Sequence, residues 1–216
     1  MHIPDGLLST PVWVGTAAVS AVGVAYCLRQ VERHIKPERV PLLGVMGAFI
    51  FAAQMVNFPV LSGVSGHLVG TALAAILLGP HAAVLVVTTV LLIQCFLCGD
   101  GGVTALGANV LNMALIPAFL ASWLYGAVGR WRRLDAARLG MFAAAWVSVL
   151  AASAVCGAEL AMSGRPFSAE VVIPLMLGVH ALIGIGEGLL SVGALEVITR
   201  ATPELRPTAV AGREGT

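Results

Sequence analysis

Charge is what this chain has least of. Of its 216 residues only 11% are charged and 6% aromatic, and Lys36 is the single lysine, whereas a soluble domain carries about 25% charge. Without a second lysine there is no Gly-x-x-x-x-Gly-Lys-Ser/Thr run, so the chain cannot carry a P-loop and does not hydrolyse ATP itself. A net charge of +1 leaves no basic footprint for nucleic acid. Soluble modules, convincing repeats and low-complexity tracts are absent as well. The four cysteines, at 27, 95, 98 and 156, all fall in apolar stretches. An even count there establishes no disulfide framework, and the lone Cys95-Phe-Leu-Cys98 pair reads as packing rather than as a metal or redox motif.

Apolar length is what the chain has instead. Apolar residues make up 58% of it, and the mean hydropathy is +0.94. Stretches at 11–28, 41–57, 68–79, 82–98, 103–125, 139–162 and 171–198 read as helices, most of them near the roughly 20 residues a bilayer crossing needs. The expected fold is an all-α integral membrane protein, a seven-transmembrane-helix bundle over residues 1–198 followed by a loose tail at 199–216. Basic residues orient it. Arg29, Arg33, Lys36 and Arg39 follow the first stretch, Arg130, Arg132, Arg133 and Arg138 separate the fifth from the sixth, and Arg200, Arg206 and Arg213 lie in the tail. Only Arg165 falls on the other side. The positive-inside rule then puts the N-terminus outside and the C-terminus in the cytoplasm.

At that outer end stands Met1-His2. The α-amine of Met1, the deprotonated backbone nitrogen of His2 and its Nδ1 can close two fused chelate rings around one ion. Three nitrogens in a plane favour the tetragonal geometry of Ni(II) or Cu(II), and a fourth nitrogen would complete it. A second-position histidine is more often a frayed terminus. Here no charged n-region or cleavage site marks the segment for removal, His2 is bulky enough to protect Met1, and Pro4 with Asp5-Gly6 gives the tip a turn.

The fourth donor is sought in Asn57-Phe-Pro-Val-Leu-Ser-Gly-Val-Ser-Gly-His67, which combines helix breakers with a complete lack of charge. Such backbone tolerates membrane depth only when buried in protein, so it reads as a re-entrant loop. The helix after it is expected to be short, about twelve residues to Gly79-Pro80, with His67 at its start. There the positive end of the helix dipole disfavours an imidazolium and leaves a neutral ligand. Nine residues of extended chain reach about 30 Å, enough for Met1 to fold back to His67.

At these residues the chain resembles the metal-specific substrate-binding components of energy-coupling factor transporters, the NikM/CbiM group. The resemblance is carried by Met1-His-Ile-Pro-Asp-Gly6, Ser65-Gly-His-Leu-Val-Gly70, Gly101-Gly-Val-Thr-Ala-Leu-Gly-Ala-Asn109 continuing to Asn112-Met113, and His180-Ala-Leu-Ile-Gly-Ile-Gly-Glu187. It implies a seven-helix bundle that binds Ni(II) or Co(II) as transported substrate, without an organic cofactor, through Met1, His2 and His67. The first two motifs are nearer the nickel branch; import of cobalt for cobalamin synthesis is the alternative. It also implies partners: a transmembrane coupling subunit, two cytoplasmic ATPases and, in some systems, a small companion membrane subunit. The home of such a chain is the lipid bilayer of a prokaryotic cytoplasmic (inner) membrane, which it crosses several times.

Other polar residues have plainer readings. Asn57, Ser65, Asn109 and Asn112 are candidates for hydrogen bonds around the metal, and the last two are as readily interhelical glue. Asp100 is expected to cap the fifth helix. Glu159, His180 and Glu187 fall within apolar segments, where ionisable groups are functional hypotheses by default, and a structural His180–Glu187 pair is expected. Ala17, Ala21 and Ala25 in the first helix, and Gly44, Ala48 and Ala52 in the second, form small-residue stripes on which a partner helix can dock. Two rivals compete with this reading. One is an intramembrane serine protease built on Gly63-Val-Ser65-Gly66 with His180 as base, which leaves Met1-His2 unexplained; the other is a passive metal channel.

Overall fold

A computed structural model describes residues 1–61, 64–128, 134–164 and 166–201. Its helices begin and end where proline, glycine and charge dictate. Helix α1 (Thr10–His34) starts behind Ser9 with Pro11 in its first turn and finishes on Arg33 and His34, at the end where cations suit the helix dipole. A short 3-10 turn (Pro37–Arg39) leads into α2 (Val40–Gln54). Helix α3 (Thr71–Leu78) is separated from α4 (Pro80–Cys98) by Gly79 alone, whose φ of +88° only glycine adopts freely. Helices α5 (Leu106–Val128), α6 (Leu134–Met162) and α7 (Ala169–Ala201) complete the chain, with α6 and α7 forming the most extensive pair.

Five of these helices, α1 and α4 to α7, are long and apolar enough to cross a membrane. The expectation of seven crossings is therefore met only in part among the described residues. Helix α2 has 15 residues and α3 only 8, or about 12 Å of rise for α3 at 1.5 Å per residue. The third helix is shorter than the expected twelve residues because Gly70, in a left-handed conformation at φ +75°, stops it at its N-terminal end.

The stretch read as a re-entrant loop is a small antiparallel hairpin, Phe58–Leu61 with Val64–Gly66, pairing Phe58 with Gly66 and Pro59 with Ser65. Half of the apolar window of α4, α5 and α6 is buried, against 11% of that of α1, so α1 lines the outside of the bundle. Its Val14, Val19, Val22 and Tyr26 are exposed, as suits a lipid-facing surface. Residues 202–216, most of the tail expected at 199–216, lie outside the described residues, as do Arg130, Arg132, Arg133 and Arg165.

Candidate metal-binding site

The first three residues are core residues. Met1 and Ile3 are fully buried and His2 nearly so, which places the chain's start inside the bundle rather than frayed in solvent. Polar partners fix its path. Asn109 of α5 brackets Ile3, its Oδ1 accepting from the Ile3 amide at 2.8 Å and its Nδ2 donating to the Ile3 carbonyl at 3.1 Å. The same carbonyl accepts from Gly102 N at 2.9 Å, and the Ser65 amide approaches the His2 carbonyl at 3.4 Å. The turn at Asp5 is held from outside, where its carboxylate accepts from the amides of Val103 (3.1 Å) and Thr104 (2.7 Å) and from the Thr104 hydroxyl. Asp5, not Asp100, thus serves the entry to α5. The approach is so close that a Cβ on Gly102 would sit 2.3 Å from the Asp5 backbone nitrogen. Only glycine permits the N-terminal segment to lie there.

Within this cradle the Met1 amine nitrogen stands 2.8 Å from His67 Nε2. Hydrogen bonding sets the tautomers. Nδ1 of His67 donates to the Leu68 carbonyl at 2.7 Å, which leaves the lone pair of Nε2 toward the amine. Nε2 of His2 donates to Gln94 Oε1 at 3.1 Å. Its Nδ1 faces Ser65 Oγ and Asp100 Oδ2, both at 3.4 Å, too far for either to claim its lone pair strongly. The two imidazole rings lie 4.6 Å apart between centroids.

Burial favours the uncharged forms of the Met1 amine and the His2 ring. It pushes the Met1 amine from 8.0 down to about 5 and the His2 imidazole down to about 3. His67 does not stand at the start of α3 as expected, so the helix dipole does not act on it directly. Three residues separate it from Thr71, where α3 begins, and its imidazole is 1% exposed, packed against the Met1 amine and the His2 ring. Among the described residues no group of three or more His, Cys, Asp or Glu side chains is placed to hold a metal. A metal here would have to draw on the terminal amine and the backbone.

The remaining expected residues fall in two groups. Asn57 donates to Asp100 Oδ2 at 3.1 Å, which aligns the carboxylate beside His2. Asn112 turns away from the site and donates to Glu159 Oε2 at 2.6 Å. The expected His180–Glu187 pair does not form, because each finds backbone: His180 Nδ1 donates to Met176 O at 2.8 Å, while Glu187 accepts the amides of Val69 (2.6 Å) and Gly70 (2.9 Å). Ser65 lies against His2, and no Ser65–His180 contact supports a protease. Cys95 is buried as expected, but Cys98 is exposed. Sequence reading missed Gln94 and the loop-holding role of Glu187. Gln94 opens a π-helical turn, Gln94–Cys98, and Asn112 lies in another, Leu111–Leu115. Such turns recur at functional sites, and the only amide in the apolar run 82–98 was the signal available.

Long apolar helices packed around a buried, nitrogen-lined polar centre make this a polytopic helical membrane protein. The chain matches the family described as "Cobalt uptake substrate-specific transmembrane region" (CbiM) over residues 2–205, and it belongs to that family. It is 39% identical over 206 residues to a putative fused nickel transport protein NikMN of Archaeoglobus fulgidus, spanning 95% of this chain and 68% of that protein. To the fused nickel transport protein NikMN of Rhodobacter capsulatus it is 34% identical, again over 95% of this chain but 63% of the relative. Cobalt transport protein CbiM 2 of Pelobacter propionicus is 36% identical, with 93% of this chain and 91% of the relative covered. A crystal structure of a transition metal transporter superposes with a TM-score of 0.86 at 29% identity, over 93% of both chains. The protein is a multi-pass membrane component of metal uptake.

Proposed function

We propose that the chain is the substrate-binding component of an energy-coupling factor transporter that imports Ni(II), held by the Met1 amine, the backbone nitrogen and Nδ1 of His2, and Nε2 of His67. One observation carries this reading, the 2.8 Å separation of the Met1 amine from His67 Nε2. Metal–nitrogen bonds of roughly 2 Å at right angles give a nitrogen–nitrogen edge of about 2.8 Å, so the two groups are spaced as neighbours in a planar set. The test is a metal analysis of the purified protein bearing an unextended Met1. It should bind one Ni(II) per chain, with the yellow-orange absorption and diamagnetism of a planar four-nitrogen complex. A colourless or paramagnetic nickel complex would sink the planar site. Co(II) is the second reading, favoured by the cobalt-transport relative, and the same titration run with cobalt decides between them.

Orientation and partners belong to the same proposal. The chain crosses the prokaryotic cytoplasmic membrane seven times, the short helices α2 and α3 each completing a separate crossing with the help of the hairpin between them. The site faces outward. Support comes from the opposite end, where His34, Lys36 and Arg39 line a groove with Gly79 and His81, and where Arg138 and Arg200 both meet Glu196. A reporter fused after Thr216 should read out in the cytoplasm, and an extracellular signal would overturn this arrangement. A coupling subunit and two ATPases, joined in some systems by a small companion membrane subunit, supply the energy.

For docking the coupling subunit, the two small-residue stripes are not equivalent. On α1, Ala17 is spent internally: a Cβ on Gly107 would come within 2.4 Å of its Cα, and Ser20 next to it donates to the Gly107 carbonyl at 2.6 Å. Ala21 and Ala25 are exposed, as are all of Gly44, Ala48 and Ala52 on α2. The α2 stripe is therefore the docking face. Ala48→Leu should abolish co-purification with the coupling subunit while nickel binding persists; loss caused by Ala21→Leu instead would move the face to α1.

A further inference from the structure

We propose that Glu187 is the positioning residue that makes this site favour nickel over cobalt, by locking the His67 loop so that the imidazole stays in the plane of the Met1–His2 chelate. The inference rests on the reading of the site given above. Glu187 belongs to α7 and is buried, with 2% of its surface exposed. Each of its oxygens accepts from one backbone amide, Oε2 from Val69 at 2.6 Å and Oε1 from Gly70 at 2.9 Å. A bidentate carboxylate fixes two successive peptide planes at once, and charged acceptors make the stronger bonds.

The rest of the loop is tied from other helices. Gln54 of α2 donates to the Val69 carbonyl at 2.8 Å, and the Thr71 hydroxyl donates to the Met113 carbonyl of α5. His67 itself is tied to Leu68 O. Among these ties Glu187 supplies the only carboxylate, and it alone takes two amides. Gly70, at φ +75°, is where the loop turns into α3, so slack at Val69–Gly70 is passed directly to the His67 ring.

Position matters more for His67 than for its companions. Three nitrogens of the proposed set belong to one chelate and are planar by covalent geometry, whereas the fourth arrives from a separate loop. Whether it lies in that plane is a tertiary matter. Four in-plane nitrogens suit Ni(II) above the other divalent ions apart from Cu(II); Co(II) has no comparable demand for planarity and accepts a tilted or displaced fourth ligand. Loosening the loop therefore weakens nickel more than cobalt.

The experiment compares full-length protein with an unextended Met1 as wild type, Glu187→Gln and Glu187→Ala, measuring equilibrium affinities for Ni(II) and Co(II) and the absorption of each nickel complex. In Glu187→Ala nickel affinity should fall by about 10–100-fold, the scale for losing a group that orients a ligand. Cobalt should fall less, lowering the nickel-to-cobalt ratio about tenfold or more, and the residual nickel complex should lose its planar signature. Glu187→Gln should be intermediate, since its amide keeps one acceptor oxygen and turns an NH2 toward the second N–H; it carries the comparison if the alanine variant fails to fold. An unchanged metal ratio with a planar spectrum in the variants overturns the proposal, whether both affinities fall together or neither moves. A wild-type protein that binds neither metal sinks the metal site itself, a result distinguishable from any failure of the Glu187 argument.

Discussion

A single residue added ahead of Met1 should abolish tight nickel binding. The extension turns the terminal amine into an amide and moves His2 to third position, which breaks both chelate rings. It also has nowhere to go. The Met1 amine is fully buried against His67, and the Met1 side chain is part of the hydrophobic core, so an extra residue must displace the whole bracket formed by Asn109, Gly102 and Asp5. The loss should reach at least a thousandfold, ~4 kcal/mol at 1.4 kcal/mol per tenfold, read by equilibrium titration with Ni(II). The same residue added behind Thr216 should change nothing. Wild-type affinity and spectrum in the N-terminally extended protein would rule out the chelate.

His67→Ala comes next in size. It deletes the only nitrogen of the proposed set that does not belong to the Met1–His2 chelate, and nickel affinity should fall by more than about 100-fold, the upper range seen even for groups that merely orient a ligand. Ser65→Ala should cost less than about tenfold, because Ser65 Oγ stands 3.4 Å from both His2 N and His2 Nδ1 and holds neither strongly. A serine protease makes the opposite prediction, with peptide cleavage lost on changing Ser65. Nickel bound at wild-type affinity by His67→Ala would remove His67 from the site. In both tests acid should release the metal: a neutral amine and imidazole are the binding forms, protonation competes with the ion, and binding is therefore lost as the pH falls.

Much of the proposed site was legible because it is local. Two fused chelate rings need only Met1 followed by His2, and their chemistry does not depend on the fold. His67 stood out as the histidine beside an uncharged, helix-breaking stretch. Other residues were misread wherever a partner was assumed nearby in sequence. Asp100 precedes Gly101-Gly102 and looked like the cap of α5, yet Asp5, nearly a hundred residues earlier, took those amides. His180 and Glu187 are two turns apart on one helix and looked like a pair, yet Glu187 reached across to Val69 and Gly70. Gln94 carried no motif, and the hydrogen bond it accepts from His2 spans 92 positions.

The division follows from what each interaction depends on. Residue composition and spacing alone determined that the protein lives in a membrane, because the bilayer rewards apolar length whatever the packing, and that its helices break at Gly79-Pro80 and the Asn57–His67 stretch, because backbone sterics are local; the break at Gly70 was not among them. They also put at Met1-His2 three nitrogens that can lie in one plane, the basis of the proposed chelate. Long-range packing settled that this segment is buried rather than frayed, that the stretch before His67 pairs as a hairpin, and that His67 is brought within 2.8 Å of the Met1 amine. Those outcomes rest on Asn109, Gly102, Gln94 and Glu187 satisfying buried polar groups from distant parts of the chain. An unpaired buried amide costs about 1–3 kcal/mol, and which side chain meets that demand is set by proximity in the folded bundle rather than by order along the chain.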